Sequence, residues 1–326
     1  MPIAQPSVIL VTGGAGFIGS HVCDGLLGLG HAVRCLDDLS TGKRSHVAHL
    51  EGRGDFTFLE GGIGEGARLK AAMEGASAVV HLAALGSVPR SIAQALDSEQ
   101  ANLAGFLQVL ETARGLGLKR IVYASSSSVY GDSAVLPKKE GTEGHPLSPY
   151  AVTKAMDETY AALYARLHGL EAIGLRFFNI FGERQDPEGA YAAAIPKFIR
   201  ALLRHQAPLL HGDGLQTRDF THVGNAVHAV GLALAAPGHR AGEVYNIACG
   251  TRCNLRDLLG KLQERMVRID PQVAGCTVVH GPERQGDVRD SLADIGKARE
   301  QLGYVPPISL EEGLDKAVPW YATHWK

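Results

Sequence analysis

The chain is poor in the features that point to a specialised chemistry or address. Cysteine is scarce, with only Cys23, Cys35, Cys249, Cys253 and Cys276 and no CxxC pair among them. An odd number at these spacings excludes the disulfide framework of a small secreted domain, and Cys249 and Cys253 have no nearby histidine to complete a metal site. We read free thiols in a reducing compartment and no bound metal. No uncharged apolar run is long enough to span a bilayer, and the opening MPIAQPSVIL lacks the basic and apolar regions of a secretory leader. A cytoplasmic protein with no membrane partner is expected. An excess of one charge is missing too: 32 Lys and Arg stand against 34 Asp and Glu, for a net charge of -2, and they are dispersed. Without a basic stripe or an acidic tail, no nucleic-acid partner is expected. Internal repeats, low-complexity tracts and long linkers are also absent.

What is there is a rhythm. The apolar runs SVILV (7–11), AVRCL (32–36), FTFLE (56–60), AVVHL (78–82), RIVYA (120–124) and EAIGLRF (171–177) alternate with helix-like stretches. Repetition of this kind predicts an α/β protein built on a Rossmann-type doubly wound parallel sheet. After Phe177 the rhythm loosens, Gly and Pro become frequent, and one more buried strand is predicted at EVYNIA (243–248). We divide the chain into a first domain over residues 1–177 and a smaller C-terminal mixed α/β lobe over 178–326, with some segments crossing back to the first.

Gly13, Gly16 and Gly19 fall between the first strand and a helix predicted to begin near Phe17. A tight turn, close approach of backbone to a pyrophosphate and close helix–strand packing each require one glycine, and the helix N-terminus favours the anion. The second strand ends in Asp37 and Asp38, and Asp37 lies where a carboxylate accepts from the adenosine ribose hydroxyls. A carboxylate there repels a 2′-phosphate, so NAD is favoured over NADP, with Lys43 and Arg44 in the next loop arguing the other way.

Further along, the row ASSSSVYGD (124–132) follows an apolar strand, and SPYAVTKAMDETY places Tyr150 and Lys154 on one face of a helix predicted to start after Pro149. Binding clefts of doubly wound sheets lie at the carboxyl ends of the strands, where this row and helix meet. Tyrosine has a free pKa of about 10, and each unit of lowering requires about 1.4 kcal/mol of preference for the phenolate. Lys154 and an oxidised nicotinamide ring are two positive charges able to supply it.

In order along the chain, VTGGAGFIGSH, LDDLSTG, VVHLAAL, SSSSVYGD, SPYAVTK, GLRFFNIFG, RDFTHVGNAV, YNIACG and GDVRDSLADI resemble the extended short-chain dehydrogenase/reductase superfamily, and within it the nucleotide-sugar 4-epimerases. The resemblance implies an enzyme with tightly bound NAD, a UDP-sugar substrate and a homodimer formed through a four-helix interface. It implies Ser126, Tyr150 and Lys154 as the catalytic set, with Asn102 holding the Lys-bearing helix or its cofactor contacts. Cofactor contacts are implied for Phe17, Ile18, Ser40, Thr41 and Gly42, for Ile63, Leu82, Ala83 and Ala84, and for Ser125 and Phe177. Substrate contacts are implied for Gly86, Ser87, Ser127 and Ser128 on the sugar side, and for Asn179, Ala193, Lys197, Leu210, Arg218, Arg284 and Asp287 around the nucleotide diphosphate and ribose.

Relatives that dehydrate or decarboxylate nucleotide sugars carry carboxyl groups where this chain has Ser127 and Ser128. Without that general acid, the resemblance implies 4-epimerisation through a transient 4-keto sugar. ALGSVPRS (84–91) is similar to bacterial epimerases that prefer UDP-N-acetylglucosamine and UDP-N-acetylgalactosamine. Ser291 stands where epimerases limited to glucose and galactose carry a bulky Tyr, which leaves volume for an acetyl group. UDP-glucose or UDP-glucuronate epimerisation is the alternative, and a non-catalytic NAD-binding regulator is the different class. Two positions depart from the family: Gly62 replaces an Asp that receives the adenine amino group, and Phe177 replaces a Tyr.

Overall fold

The structure is a computed structural model that describes residues 6–187, 193–282 and 289–325. Its first half runs β1 (Val8–Thr12), α1 (Phe17–Gly28), β2 (Ala32–Asp37), β3 (Phe56–Glu60), α2 (Gly66–Met73), β4 (Ala78–His81), α3 (Val88–Ala93), α4 (Ala95–Glu99), α5 (Gly105–Leu116), β5 (Arg120–Ser126), α6 (Pro149–His168) and β6 (Glu171–Phe177). The second half adds β7 (Ile180–Phe181), α7 (Ala194–Leu203), β8 (Leu209–His211), β9 (Thr217–Arg218), β10 (Thr221–His222), α8 (Val223–Ala235), β11 (Val244–Ile247), β12 (Cys253–Asn254), α9 (Leu255–Ile269), β13 (Val279–Gly281), α10 (Gly296–Leu302) and α11 (Leu310–His324).

Seven strands form one sheet in the order β11-β6-β5-β4-β1-β2-β3, and every pairing in it is parallel. Strands buried on both faces read as continuous apolar runs, as β1 and β4 do. Alternate residues feed two cores. Ile9 and Val11 pack with Val22 and Leu26 of α1 and Val230 of α8, whereas Leu10 and Val79 pack with Phe106 and Leu110 of α5 and Ala161 of α6. β11 and α8 therefore belong structurally to the first sheet although they come late in the chain. A third core joins α7, α9 and α11 in the second lobe.

A small fourth cluster, Val129, Tyr130, Phe178, Ala248, Ala293 and Ile295, ties the turn after β5 to the ends of β6 and β11 and to the segment that follows residue 288. Asp219 reinforces this junction: fully buried, it accepts hydrogen bonds from the backbone N–H groups of Cys249 and Gly250 at 3.0 and 3.1 Å, and from Ala293 at 3.3 Å. All five cysteines are free. Among the described residues no helix is long and apolar enough to cross a membrane, and no group of three or more His, Cys, Asp or Glu side chains is arranged to hold a metal ion.

Candidate active site

The cleft at the carboxyl ends of β1, β2 and β4 has a volume of about 590 Å³. Around it the structure gathers Gly13, Gly16, Phe17, Ile18, Gly19, Asp37, Asp38, Ser40, Thr41, Ile63, Leu82, Ala83, Ala84 and Gly86. Gly13 adopts φ +68, and a Cβ there would lie 2.6 Å from the Ala83 nitrogen; one on Gly19 would lie 2.0 Å from the Gly13 carbonyl oxygen. Only bare backbone permits these approaches. Gly16 caps α1 with no side-chain hydrogen bond, so the first N–H groups of the helix stay available to an anion. The residues present thus fit a dinucleotide: a glycine cradle, an uncapped helix start and a cleft of matching character.

Asp37 is 7% exposed, and its two oxygens accept the N–H groups of Ala15 and Leu39 at 2.9 and 2.8 Å. Burial pushes its pKa up, and those two hydrogen bonds pull it back. Asp38 is exposed and accepts from the Ser40 backbone N–H and hydroxyl. The two cations that argued for NADP are engaged elsewhere: Lys43 pairs with Asp186 at 2.7 Å, and Arg44 pairs with Glu51 while stacking over Phe58. Gly62 lines the cleft, and a Cβ there would stand 3.6 Å from Asp38 Oδ2 and 3.7 Å from Glu65 Oε1. This rim is acidic without a carboxylate at position 62.

Four residues expected at the cofactor do not line the cleft and support it instead. Gly42 lets its loop close on Asp37, since a Cβ would sit 2.7 Å from Asp37 Oδ1. Asn102 is buried in a π turn over Gln100–Ala104; its Oδ1 accepts from Leu85 N at 2.8 Å, and its Nδ2 donates to Thr153 Oγ1 at 3.2 Å. It therefore joins the cofactor edge to the Lys-bearing helix. Ser125 donates to Glu158, which grips Arg176 through two hydrogen bonds of 2.8 and 2.7 Å. Phe177 is packed in the core beneath the sheet.

β5 ends in Ser126, and Ser127 and Ser128 open a 3₁₀ turn that runs to Tyr130. Ser126 Oγ accepts the Ser128 N–H at 3.1 Å, which leaves its own O–H free to donate outward. The Ser128 hydroxyl is buried without a hydrogen-bond partner among the described residues. α6 starts where the sequence requires: Ser148 caps it by accepting from Ala151 N, and Pro149 occupies its first turn. Tyr150 and Lys154 follow one turn apart, Tyr150 half-buried and Lys154 2% exposed. Lys154 Nζ donates to Asp157 Oδ2 at 3.0 Å. Burial works to lower the Lys154 pKa; the carboxylate more than offsets it, so the ammonium is held charged.

In the second lobe, Asn179 takes the left-handed φ of 38° that Asn tolerates, and its Nδ2 donates to the Asp219 carbonyl at 3.2 Å. Arg218 donates to the carbonyls of Thr217 and Arg289. Ala193 is the N-cap residue of α7, which carries Lys197, and Ser87 caps α3 at φ 109. Leu210 is 1% exposed and faces the core shared by α7, α9 and α11. Ser291 donates its N–H to the Thr217 carbonyl at 3.1 Å. Arg284 and Asp287 lie outside the described residues.

Sequence reasoning missed several groups. Asp97 in α4 and Gln100 and Ala101 in the π turn form one wall of the cleft, and a π turn leaves no mark in an apolar repeat. Asp157 lies within SPYAVTKAMDETY, where only Tyr150 and Lys154 were singled out. Ser125, by contrast, was within reach, because alternation along RIVYASS puts it on the same face as the core residue Tyr123.

A doubly wound sheet with a glycine cradle, a carboxylate at the end of β2 and a Tyr–Lys helix at its edge defines an NAD-dependent enzyme of the extended short-chain dehydrogenase/reductase type. The model of the NAD dependent epimerase/dehydratase family matches residues 9–248, and the chain belongs to that family. It is 35% identical over 315 residues to a UDP-glucose 4-epimerase of Mycolicibacterium smegmatis, covering 96% of this chain and 97% of that one. Among solved structures it resembles the UDP-N-acetylglucosamine 4-epimerase from Methanobrevibacter ruminantium in complex with UDP-N-acetylmuramic acid (TM-score 0.91, 34% identity, 98% and 99% covered). It also resembles the Thermotoga maritima UDP-glucose 4-epimerase with UDP-glucose (TM-score 0.90, 35% identity, 98% and 100% covered).

The placement of Asp37 predicts that protein freed of nucleotide binds NAD at least about tenfold more tightly than NADP, a difference of about 1.4 kcal/mol. Calorimetric titration with each nucleotide checks this, and equal affinities would show that Asp37 does not exclude a 2′-phosphate.

Proposed function

We propose that the protein is a 4-epimerase that interconverts UDP-N-acetylglucosamine and UDP-N-acetylgalactosamine, with room for UDP-glucose and UDP-galactose in the same site. In this reading residues 1–177 hold the cofactor and the base, and residues 178–326 hold the nucleotide sugar. The observation that carries it is the chemistry beside Tyr150 and Lys154: the turn at the end of β5 offers hydroxyls at Ser126, Ser127 and Ser128 and no carboxyl. Loss of water from a sugar needs an acid to protonate the departing hydroxyl, and epimerisation does not.

NAD, held in the cleft by Gly13, Gly16, Gly19 and Asp37, would supply reversible hydride acceptance at C4 of the sugar. Tyr150 takes the proton of the C4 hydroxyl and gives it back. Lys154 supplies positive charge to the phenolate from the same face of α6. Ser126, with its O–H free, holds the C4 oxygen in reach of Tyr150. Asn179 and Arg218, with Arg284 and Asp287, hold the nucleotide diphosphate and ribose while the sugar turns; Arg suits this through its fixed fork of donors.

The preference for an N-acetylated sugar draws support from Ser291. Its chain is held beside the serine turn, since Ala293 shares an apolar cluster with Val129 and Tyr130, and its small side chain leaves volume near the sugar. One of the two solved relatives named above is an epimerase of UDP-N-acetylglucosamine, and the other was solved with UDP-glucose, so both sugars enter the test. A homodimer fits the apolar residues Ile92, Leu96, Val152 and Met156, which α3, α4 and α6 leave exposed. The free cysteines suit a cytoplasmic setting.

Proton NMR of the protein with NAD and, separately, UDP-N-acetylglucosamine, UDP-glucose and UDP-glucuronate should show the galacto-configured anomeric signal arising fastest from the first. No conversion of any sugar would defeat the epimerase reading. Tyr150→Phe should keep nucleotide-sugar binding and lose about 10²–10⁴-fold in turnover; undiminished turnover would remove Tyr150 from the mechanism. Ser291→Tyr should suppress the N-acetylated substrates and spare UDP-glucose, and a parallel loss of both would refute the volume argument. Light scattering should report twice the 34.6 kDa chain mass, falling to one chain in Met156→Glu; a monomer in the unaltered protein would rule out the proposed interface.

A further inference from the structure

α6 turns Lys154 and Asp157 toward the sheet, and both are sealed from solvent, with side chains 3% and 0% exposed. Asp157 Oδ2 accepts from Lys154 Nζ at 3.0 Å, while Oδ1 is buried with no hydrogen-bond partner among the described residues. A half-satisfied carboxylate at this depth costs stability, and the other small buried residues of this helix carry no charge: Ala151 and Ala161 are apolar, and the Thr153 hydroxyl is hydrogen-bonded to Asn102 and to the Tyr150 carbonyl. The one neighbour it engages is the lysine that stands a turn from the base. We propose that Asp157 is a positioning residue, which fixes the Lys154 ammonium against α6 and sets how much of its positive charge reaches Tyr150. The inference rests on the reading of Tyr150 as the base and deepens it.

The physical argument is one of fields. A lone ammonium beside a phenol favours the phenolate strongly, whereas an ammonium with a carboxylate 3.0 Å away acts as a dipole, whose influence falls off faster. Lys154 and Tyr150 feel one another electrostatically, so the compensation is passed on.

Other charges around the pair do not take over this role. His81 on β4 is kept neutral, burial and then the Lys154 charge pushing its pKa down to about 3. Tyr123 on β5 is pushed far up by burial. Glu158 is committed to Arg176 of β6 and to Ser125, and Tyr130 in the 3₁₀ turn donates to Asn246. Glu111 and Arg114 of α5 pair with each other beside Tyr164, toward the far end of α6. Arg90, Asp97 and Glu99, on α3 and α4, sit at partly or fully exposed positions. Burial pushes Asp157 up to about 6 against the pull of Lys154, so at neutral pH the pair is charged, and below about 6 the lysine loses its partner.

The test is an ultraviolet titration of tyrosinate in the NAD-loaded protein, with the Tyr150→Phe form subtracted, beside the pH profile of kcat/KM. In Asp157→Asn the Tyr150 phenol should ionise about one pH unit lower or more, with the basic limb of kcat/KM moving the same way and KM little changed. Asp157→Ser, smaller and also neutral, should give the same shift, so the answer does not depend on one variant folding. Asp157→Glu should restore the original titration. A phenol pKa that is unmoved or raised in folded Asn and Ser variants overturns the proposal and leaves Asp157 a structural residue. The titration needs no turnover, so failure of the epimerase reading would appear in the sugar assay and not here.

Discussion

Three backbone segments meet at the floor of the cleft with no room for a Cβ between them: the turn after β1, the start of α1 and the strand end at Ala83. That contact decides where everything else in the first half stands. It brings α1 close enough for its free N–H groups to face the cleft, and it puts the ends of β1 and β4 side by side. Much of the cleft lining then comes from residues directly after those strand ends, and Asp97, Gln100 and Ala101 add a wall from α4 and the π turn. Placing the same glycines one residue away would close the cleft, because side chains would occupy the space that backbone now leaves.

The second half is organised by a different rule, in which a buried carboxylate substitutes for regular structure. Asp219 accepts from three backbone N–H groups contributed by two separate loops, and a short apolar cluster seals the same junction. Segments with little helix or strand of their own are thereby fixed against the serine turn. The late strand β11 and helix α8 close the sheet, so the two halves share a core and are not strung together by a linker.

Much of this was written plainly in the sequence. FTFLE and EAIGLRF are strands over the predicted residues, and α6 begins at Pro149, one residue ahead of the predicted start, because Ser148 caps it. β5 runs on to Ser126 since Ser125 and Ser126 pair with Arg176 and Phe177 of the neighbouring strand, a cross-strand fact that single-chain polarity does not reveal. The lining of the cleft was legible where motif and strand end coincide. It was opaque at the π turn, whose geometry breaks the helical period, and at Asp157, whose meaning comes from what lies above it on the helix. Leu210 shows the same limit: which face a residue takes is decided by its partners.

Asn102 has a mechanical consequence. One amide side chain is bonded both to the Leu85 backbone at the edge of the cleft and to Thr153 on α6. In the proposed reading, the groups that take the sugar's hydride and its proton are thereby mounted on a single frame, and the spacing between those two mounts would not have to be rebuilt at each turnover.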